Sequence, residues 1–335
     1  MTPDTVDALV VGGGQAGLAM SEHLIAHGVP HLVLERGRIA ERWRSERWDS
    51  LVANGPAWHD RFPGMEYPDC DPDGFPSKEE IADYFVGYAG MLGAPIRCGV
   101  TVMEVRRLDA RPGFRVETSE GVIHANYVIA ATGPFQRPVI PPIVPTDAEI
   151  VQVHSNAYRN PDQLPPGAVL VVGGGSSGAQ IADELLRAGR RVYLSVSSHG
   201  RPPRSYRGRD FVWWLGVLNE WDMEAAPGSR HTTIAVSGSQ GGQTVDFRQL
   251  AEQGMTLLGT TKSFDDGVLT FAADLADNLP KGDEDLLSLL DAADAYVRDY
   301  GVDLPAEPTA RETRSTPACV TEPILELNLG DADVQ

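Results

Sequence analysis

Apolar runs, glycines and helix-compatible stretches follow one another in the same order at two places in the chain. In each copy, an apolar run ends in glycines, apolar residues at helical spacing come next, and a second apolar run follows. Short apolar runs of this kind are typical of buried parallel strands, and each copy therefore predicts a strand–helix–strand unit. The predicted strands cover residues 8–11, 31–34, 168–172 and 191–196, and the predicted helices cover residues 18–26 and 179–188.

The glycines of the first copy have the spacing Gly-x-Gly-x-x-Gly, at Gly12, Gly14 and Gly17. The first glycine permits a tight turn, the second lets a pyrophosphate approach the backbone, and the third lets the helix lie close to the strand. The N-terminus of that helix offers N–H groups and a partial positive charge to phosphates. We therefore predict that this loop, with Gln15 and Ala16 at the start of the helix, binds an adenine dinucleotide.

The second predicted strand of this copy ends in an acid. Glu35 follows the glycines by about 20 residues, where the motif places a carboxylate that accepts hydrogen bonds from a ribose diol. We expect Glu35 and its neighbour Arg36 to contact the same dinucleotide. Because a carboxylate repels a 2′-phosphate, the first site should not bind NADP.

The second copy has the same glycine spacing but lacks the acid. Gly173, Gly175 and Gly178 enclose Ser176 and Ser177, and we expect these five residues to contact a second dinucleotide.

Serine and arginine stand where the first copy has its acid. Ser197 follows the second strand, and Arg201, Arg204, Arg207 and Arg209 come shortly after it. Because hydroxyl and guanidinium groups suit a 2′-phosphate, we predict an NADP(H) site with Ser197, Arg201 and Arg204 as candidate ligands. The alternative is that the arginines belong to a solvated loop.

Capping residues predict where two further helices begin. Ser77 as N-cap and Glu80 three positions later indicate a helix that starts with a capping box. Asp283 indicates the start of an amphipathic helix over residues 283–300.

Alternating positions predict strands outside the two repeated units. Residues 96–127 indicate a small antiparallel piece, and residues 254–271 indicate two strands joined at Asp266 and Gly267. The aromatic-rich residues 211–221 are expected in a core or a domain contact, and alternatively in the wall of a substrate cleft.

Composition narrows the classes of partner. The chain has 335 residues, 42% of them hydrophobic, which is enough for two domains with separate cores. The formal net charge of -19 argues against nucleic acid as a partner. No apolar run reaches the roughly 18 residues of a membrane span, and the N-terminal residues are acidic, so neither a membrane nor a secretory signal is expected.

The positions of cysteine and histidine argue against two kinds of site. Cys70, Cys98 and Cys319 are far apart and form no Cys-x-x-Cys motif, so neither a redox dithiol nor a zinc knuckle is expected. The histidines lack the spacing of metal ligands, and no metal is expected. This cysteine usage fits a cytoplasmic protein best.

Three further stretches carry a family resemblance. They are VIAATGPFQRPVIPP at residues 128–142, VHSNAYRNP at residues 153–161, and RWRSERWDSLVANGPAWHDRFPG at residues 42–64. Together with the two glycine loops, they resemble the two-dinucleotide-binding flavoproteins, and within them the flavin-containing monooxygenases.

The resemblance implies roles for five residues. By this likeness, Thr132 and Gly133 pass next to the flavin, and Trp43 and Trp48 lie against its ring. Asn54 matches the asparagine that contacts flavin or nicotinamide during oxygen chemistry, and it is the candidate catalytic residue. As an alternative, the sequence around Asn54 is also a good turn.

The resemblance also implies a fold class and domain limits. The fold is expected to be α/β, with two Rossmann-like three-layer (β/β/α) dinucleotide-binding domains and the NADP domain inserted in the FAD domain. The expected limits are residues 1–150 for the FAD domain and 165–318 for the NADP domain. Residues 319–335 are expected to be the truncated start of a return to the FAD domain, because the late segment with which relatives close that domain is not found.

The function that the resemblance implies is an NADPH-dependent flavoprotein monooxygenase with FAD and NADP(H) as cofactors. It would transfer one oxygen atom from O2, through a hydroperoxyflavin, to a small organic substrate that is an amine, a sulfide or a ketone. The alternatives are an NADPH:FAD oxidoreductase or oxidase without oxygen transfer, and a truncated nucleotide-binding remnant. The expected partners are the small-molecule substrate and O2, with a homodimer as one possible assembly.

Overall fold

The computed structural model describes residues 5–109, 111–224 and 234–334. The chain divides into two compact units. The first unit contains Met1–Leu51, Asp60–Pro72 and Pro76–Val139, and the second contains Val52–His59, Asp73–Phe75 and Ile140–Gln335. The first few residues, which belong to the segment where no secretory signal is expected, lie outside the described ranges.

The described residues of the first unit form one sheet of six strands and three helices. The strands are β1 (Thr5–Val11), β2 (His31–Glu35), β3 (Ile96–Cys98), β4 (Val102–Arg107), β5 (Phe114–Thr118) and β6 (Gly121–Ala130), and the helices are α1 (Gln15–Ala26), α2 (Glu41–Ser45) and α3 (Lys78–Leu92). The strand order is β3-β2-β1-β6-β5-β4. The β1, β2, β3 and β6 pairings are parallel, and the β4–β5 and β5–β6 pairings are antiparallel.

The antiparallel piece expected over residues 96–127 is therefore shorter than predicted. Residues 96–98 form β3, which pairs with β2 in parallel, and the antiparallel part begins at β4. The buried side chains of this sheet come from both parts of it, which makes one continuous core: Leu9, Leu32, Leu34, Val100, Val116, Ile123 and Ala125.

Helix α3 begins with the predicted capping box. The Glu80 N–H donates to Ser77 Oγ (3.2 Å), and the Ser77 N–H donates to Glu80 Oε2 (2.7 Å). These bonds satisfy backbone donors that a helix start otherwise leaves without partners. The buried side of α3 packs aromatic rings against the chain before it, with Phe62 stacked on Tyr88 at 4.3 Å and Tyr67 on Tyr84 at 4.1 Å.

The second unit contains two three-stranded sheets, one two-stranded ribbon and six helices among its described residues. The strands are β7 (Val169–Val172), β8 (Val192–Ser195), β9 (Ser205–Tyr206), β10 (Arg209–Asp210), β11 (Thr256–Leu258), β12 (Thr261–Asp265), β13 (Val268–Phe271) and β14 (Glu326–Asn328). The helices are α4 (Ser176–Arg187), α5 (Phe211–Val217), α6 (Ser239–Gly242), α7 (Phe247–Glu252), α8 (Leu275–Tyr300) and α9 (Ala318–Thr321). The parallel sheet has the order β11-β8-β7, and the antiparallel sheet has the order β12-β13-β14. Strands β12 and β13 are joined at Asp266 and Gly267, as predicted. Residues 254–271 contain three strands instead of the two expected, because residues 256–258 form β11, which pairs with β8 in the parallel sheet.

Helix α8 starts earlier than the sequence predicts. It begins at Leu275, contains Pro280, and has Asp274 as its N-cap residue, so Asp283 is inside the helix. The Asp283 carboxylate accepts hydrogen bonds from Arg201 and Arg248 instead of capping a helix start. The role of Asp283 is therefore to bind two arginines that are distant in sequence, and not to cap a helix as its local sequence suggested.

The C-terminal segment belongs to the second unit. Strand β14 pairs with β13, and the Ala168 N–H donates to the Asp333 carbonyl (2.7 Å) next to a bridge between Ala168 and Val334. Residues 326–328 and Val334 thus pair with other segments of this unit. The expected domain limits, including the return of residues 319–335 to the FAD domain, stay predictions.

The aromatic-rich stretch contributes to a core of the second unit. Trp214 is fully buried, and its Nε1–H donates to the Tyr206 carbonyl (2.9 Å). It clusters with Leu286, Leu290 and Ala293 of α8. Trp214 therefore serves as core, in line with the first of the two roles considered for this stretch.

Among the described residues, no helix combines the length and the apolar composition that a membrane span requires.

Leu290 tests the core between α5 and α8. The side chain is fully buried, so Leu290→Ala should lower the free energy of unfolding of the second unit by about 2–5 kcal/mol. Leu325→Ala is the control, because the Leu325 side chain is 44% exposed. Denaturant titration followed by circular dichroism measures both, and equal losses in the two variants would contradict this packing.

Candidate functional site

The first glycine loop brings three backbone segments into very close contact. Gly12 has φ +115°, and a Cβ at Gly17 would lie 1.9 Å from the Gly12 carbonyl oxygen. A Cβ at Gly12 would itself lie 2.4 Å from the Ala131 carbonyl oxygen. Only glycine fits at these two positions, and the contact places the chain just before Thr132 and Gly133 beside the loop. Both of these residues are exposed.

The middle glycine of the loop faces open space. A Cβ at Gly14 would meet no atom within 4 Å, and the next residues, Gln15 and Ala16, are exposed at the start of α1. The first N–H groups of a helix have no intrahelical acceptor. The loop therefore has the room and the donors that a pyrophosphate needs.

Glu35 holds the loop as well as facing it. Its Oε2 accepts from the Gly13 N–H (2.7 Å), and its Oε1 accepts from the Gly37 N–H (2.8 Å). Each carboxylate oxygen has a second lone-pair direction, so the group can still accept from a ribose hydroxyl. Arg36 is exposed and lies 3.9 Å from Glu46.

The two tryptophans assigned to the flavin differ in accessibility. Trp43, in α2, is half-buried, and the Arg47 guanidinium lies 5.7 Å from the centre of its ring. Trp48 is only 5% exposed and is part of the core of the first unit. Of the two, Trp43 offers a surface that a ligand can reach.

The second glycine loop repeats the geometry of the first. Gly173 has φ +108°, and a Cβ at Gly178 would lie 1.9 Å from the Gly173 carbonyl oxygen. Gly175 is the N-cap residue of α4. The Gly173 N–H donates to the Ser195 carbonyl (3.0 Å), which ties the loop to the end of β8. The fold therefore builds two loops of the same geometry on parallel strands of two separate sheets.

The start of α4 is partly occupied by another segment of the chain. The Ser176 N–H (3.1 Å) and its Oγ–H (3.0 Å) both donate to the Ile234 carbonyl, and Ser176 Oγ accepts from the Val236 N–H (3.2 Å). Ser177 is exposed beside it. Of the two serines expected at the phosphates, Ser177 is accessible, whereas Ser176 is engaged within the protein.

Two accessible serines, Ser197 and Ser198, follow the end of β8. Ser197 is exposed, whereas Ser195 is buried and donates through its hydroxyl to the Gly259 carbonyl (2.8 Å). Ser197 can therefore contact a ligand at this strand end.

The two arginines expected at the 2′-phosphate have partners inside the protein. Arg201 is 7% exposed, and it donates to Asp283 (2.6 Å) and Asp246 (3.4 Å). Arg204 is 3% exposed, and it donates to Asp210 (2.6 Å). Both guanidinium groups are thus buried and paired with carboxylates of the same protein, and their expected contact with the 2′-phosphate stays a prediction. The alternative, a solvated loop, is wrong for these two residues because both are buried.

Asn54 is held by two residues of the second unit. Its Oδ1 accepts from Gln180 Nε2 (2.8 Å), and its backbone carbonyl accepts from Arg204 Nη1 (2.6 Å). The Asn54 side chain itself is exposed. Gln180 was not predicted from the sequence. The only sign in the sequence is that a polar residue stands among the residues of α4 that are buried.

A cavity of about 420 Å³ lies in the second unit beside Gln180. Helix α4 contributes one side and residues 237–253 the other, and carboxamide and hydroxyl groups are frequent in its lining: Gln180, Ser237, Ser239, Gln240, Gln243, Thr244, Gln249 and Gln253. This lining suits a polar group that both donates and accepts hydrogen bonds.

Most of the chain matches the model of one protein family. Residues 9–226, which include both glycine loops and Asn54, match the model of a family described as pyridine nucleotide-disulphide oxidoreductase. The chain belongs to this family. Its members bind FAD and NADPH, which confirms the cofactor pair expected from the sequence, and the match also confirms the resemblance to flavoprotein oxidoreductases.

Related sequences align over the same part of the chain. A CzcO-like oxidoreductase of Geobacillus kaustophilus is 43% identical over 220 residues, which are 64% of this chain and 62% of that protein. Indole-3-pyruvate monooxygenase YUCCA1 of Oryza sativa subsp. japonica is 34% identical over 193 residues, which are 56% of this chain and 47% of that protein. The chain thus spans less than two thirds of the length of the relatives it matches.

Solved structures confirm the fold class. A flavin-containing monooxygenase from Stenotrophomonas maltophilia has a TM-score of 0.60 at 23% identity, over 80% of this chain and 74% of that one. A bacillithiol disulfide reductase from Staphylococcus aureus has a TM-score of 0.58 at 14% identity, over 80% of this chain and 71% of that one. The likeness shows the α/β fold with Rossmann-like parallel sheets.

Gly14 tests the first phosphate loop without disturbing its packing. Its φ of -94° is allowed for any residue, and a new Cβ would meet only open space. Gly14→Ala should therefore leave the melting temperature nearly unchanged. It should lower FAD affinity about tenfold or more, since the methyl group takes the room of the pyrophosphate.

The matched control is Gly90→Ala, which also meets no atom within 4 Å but lies in α3. Flavin fluorescence titration of the apoprotein measures both affinities. Equal FAD affinity in the two variants would contradict the assignment of the loop.

The pH dependence of stability tests the burial of His199, which follows β8. Burial lowers the pKa of His199 below its ordinary value of 6.5, with Arg201 acting in the same direction, while the Ser197 carbonyl, Asp283 and Asp285 act against it. The folded state therefore favours the neutral ring, and the unfolded chain binds the proton more readily. This contribution to stability is present above pH 6.5 and is lost as the pH falls below it.

Melting temperatures should show this pH dependence. Between about pH 8 and pH 5, the wild-type protein should lose more stability than His199→Asn, whose amide can keep the hydrogen bond to the Ser197 carbonyl. His23→Asn is the control, because the His23 side chain is 70% exposed. An identical decline in wild type and His199→Asn would show that the ring does not titrate in this range.

Proposed function

We propose that the protein is an FAD- and NADPH-dependent monooxygenase that transfers one oxygen atom from O2 to a small organic substrate. The substrate class is a soft nucleophile, such as an amine or a sulfide, or a ketone. The observation that carries the proposal is the pairing of two unlike glycine loops with an exposed and anchored Asn54. Glu35 is the last residue of the strand that follows the first loop and its helix, and Ser197 comes just after the corresponding strand of the second copy.

The first loop is the proposed FAD site. Gly14, Gln15 and Ala16 would hold the pyrophosphate, and Glu35 would accept from the ribose. Thr132, Gly133 and Trp43 would lie nearer the flavin ring. FAD held by these residues would supply the redox chemistry, which is hydride acceptance from NADPH and electron transfer to O2.

The second loop is the proposed NADPH site. Gly175 and Ser177 would contact the pyrophosphate, and the exposed Ser197 would contact the 2′-phosphate. The absence of an acid after β8 in the sequence supports NADPH over NADH, because a carboxylate at this position would repel the phosphate.

Asn54 is the proposed catalytic residue. Its Nδ2 group can donate a hydrogen bond to a developing negative charge on the reacting oxygen or on the flavin edge. Fixed donors of this kind lose little energy to reorganisation during the reaction. The similarity to YUCCA1, which is named an indole-3-pyruvate monooxygenase, supports oxygen transfer over simple reduction.

The lack of a redox dithiol favours oxygen chemistry over disulfide reduction. The sequence contains no Cys-x-x-Cys, and Cys70, Cys98 and Cys319 are not joined by disulfides in the described structure. A thiol–disulfide relay needs two cysteines close to each other. Residues of this chain therefore offer no route for such a relay.

Product stoichiometry tests the proposal. The full chain is loaded with FAD and supplied with NADPH, 18O2 and a panel of one amine, one thioether and one cyclic ketone. Mass spectrometry should find one 18O atom in one product class, with NADPH oxidised in step. Replacing NADPH by NADH should slow the reduction of FAD.

Asn54→Ala should uncouple the reaction. NADPH oxidation should continue while product falls about 100-fold, which is typical for the loss of one donor to a developing charge, and hydrogen peroxide should rise. Asn126→Ala is the control, since Asn126 is exposed and bonded to Asp7 in the first unit. Stoichiometric hydrogen peroxide from the wild type with every substrate would identify an oxidase instead. A protein that binds neither flavin nor NADPH would exclude both.

A further inference from the structure

We infer that Gln180 is a positioning residue that holds the Asn54 amide in one orientation, with Arg204 holding the backbone of the same residue. The inference rests on the role proposed above for Asn54, and it names the residues that prepare that role.

The Gln180 amide uses both of its hydrogens. Nε2 donates to Asn54 Oδ1 (2.8 Å) and to the Val236 carbonyl (2.9 Å). An NH2 group has two donors, so the two acceptors fix the rotation of this amide. A reversed Gln180 amide would place its carbonyl oxygen against the Val236 carbonyl, which is unfavourable.

Burial makes these bonds necessary. Gln180 is 8% exposed in α4, next to the buried residues Ala179 and Ile181. A buried carboxamide is costly unless it is hydrogen-bonded, so an apolar side chain would be preferred here if packing were the only demand. The polar partners, Asn54 and Val236, therefore account for a glutamine at this position.

The orientation of Asn54 follows from Gln180. Because Gln180 presents a donor, the Asn54 oxygen must face it, and the Asn54 Nδ2 group is turned to the other side. The reversed amide would set one NH2 group against another. Asn54 therefore presents donors, and not an acceptor, to whatever approaches its exposed side.

Arg204 holds the other end of the same residue. Its Nη1 donates to the Asn54 carbonyl (2.6 Å) and its Nη2 to Asp210 (2.6 Å), while the guanidinium lies 5.0 Å from the centre of the Phe75 ring. Asp210 and Phe75 thus fix the guanidinium. The neighbouring backbone is equally constrained, because a Cβ at Gly238 would lie 2.1 Å from the Ala53 carbonyl oxygen.

The hydrogen bonds from Gln180 and Arg204 hold the Asn54 amide in one orientation before a ligand binds. The side-chain oxygen and the backbone carbonyl of Asn54 are both bonded to buried groups, so the amide has little freedom to rotate. Catalytic hydrogen bonds depend on such support, because a loosely held donor must be ordered again in each turnover.

The test removes the donor of Gln180 and keeps its size. Gln180→Met is close in volume but cannot donate, and Gln163→Met is the matched control in an exposed position of the same unit. The first readout does not depend on activity. It is the heteronuclear NOE of the Asn54 side-chain amide, recorded on deuterated 15N-labelled protein and assigned from its absence in Asn54→Ala.

The expected result is a lower NOE for the Asn54 amide in Gln180→Met and an unchanged NOE in Gln163→Met. The second readout is oxygenated product per NADPH, which should fall about tenfold or more in Gln180→Met. The double variant with Asn54→Ala should lose no more than Asn54→Ala alone, since both changes remove the same function. Affinities for FAD and NADPH and the melting temperature should change little.

The two readouts separate the failure of the inference from the failure of the proposed function. An unchanged NOE in Gln180→Met overturns the inference, whatever the activity. A lower NOE in an enzyme whose product ratio does not respond supports the positioning by Gln180 and overturns the catalytic role of Asn54. A double variant with fully additive losses would also overturn the inference.

Discussion

In both glycine loops, the third glycine lies against the carbonyl oxygen of the first, so closely that a methyl group would be 1.9 Å from that oxygen. The helix can begin this close to its strand only because neither residue carries a side chain there. The first N–H groups of the helix then lie at the end of β1 or β7. Glu35 and Ser197 lie at the ends of the neighbouring strands β2 and β8. The placement of every residue that we propose as a ligand contact in the two loops depends on this backbone contact.

Local features of this fold were predictable from the sequence, and features that depend on distant partners were not. The glycine spacings and the Ser77–Glu80 capping box act within a few residues, so their pattern alone predicts the strand–helix units and the start of α3. Asp283 looked like a helix cap by the same local logic. It is instead bonded to Arg201, which is 82 residues away, and Arg248, which is 35 residues away, and no local pattern reports such partners.

The arginine cluster shows the same limit for the candidate site. A run of cations in an acidic chain resembles an anion site, and Ser197 at the strand end fits that interpretation. However, the charge of an arginine does not reveal whether its partner is a ligand or a carboxylate of the same protein. Asp246 and Asp283, the partners of Arg201, are 45 and 82 residues away, and only the fold brings them to it. Gln180 could not be found for the same reason.

The position of Asn54 has a consequence for the order of folding. Residues 52–59 precede most of the first unit along the chain, yet they belong to the second unit, and the partners of Asn54 are 126 and 150 residues further on. During synthesis, the ribosome must therefore produce the segment around Asn54 long before its anchors exist. Contacts of such high sequence separation form late, because a long loop has to close first. Asn54 should thus become ordered only in the final stage of folding. A partly synthesised chain could form the first sheet while the Asn54 amide still lacks its bonds to Gln180 and Arg204.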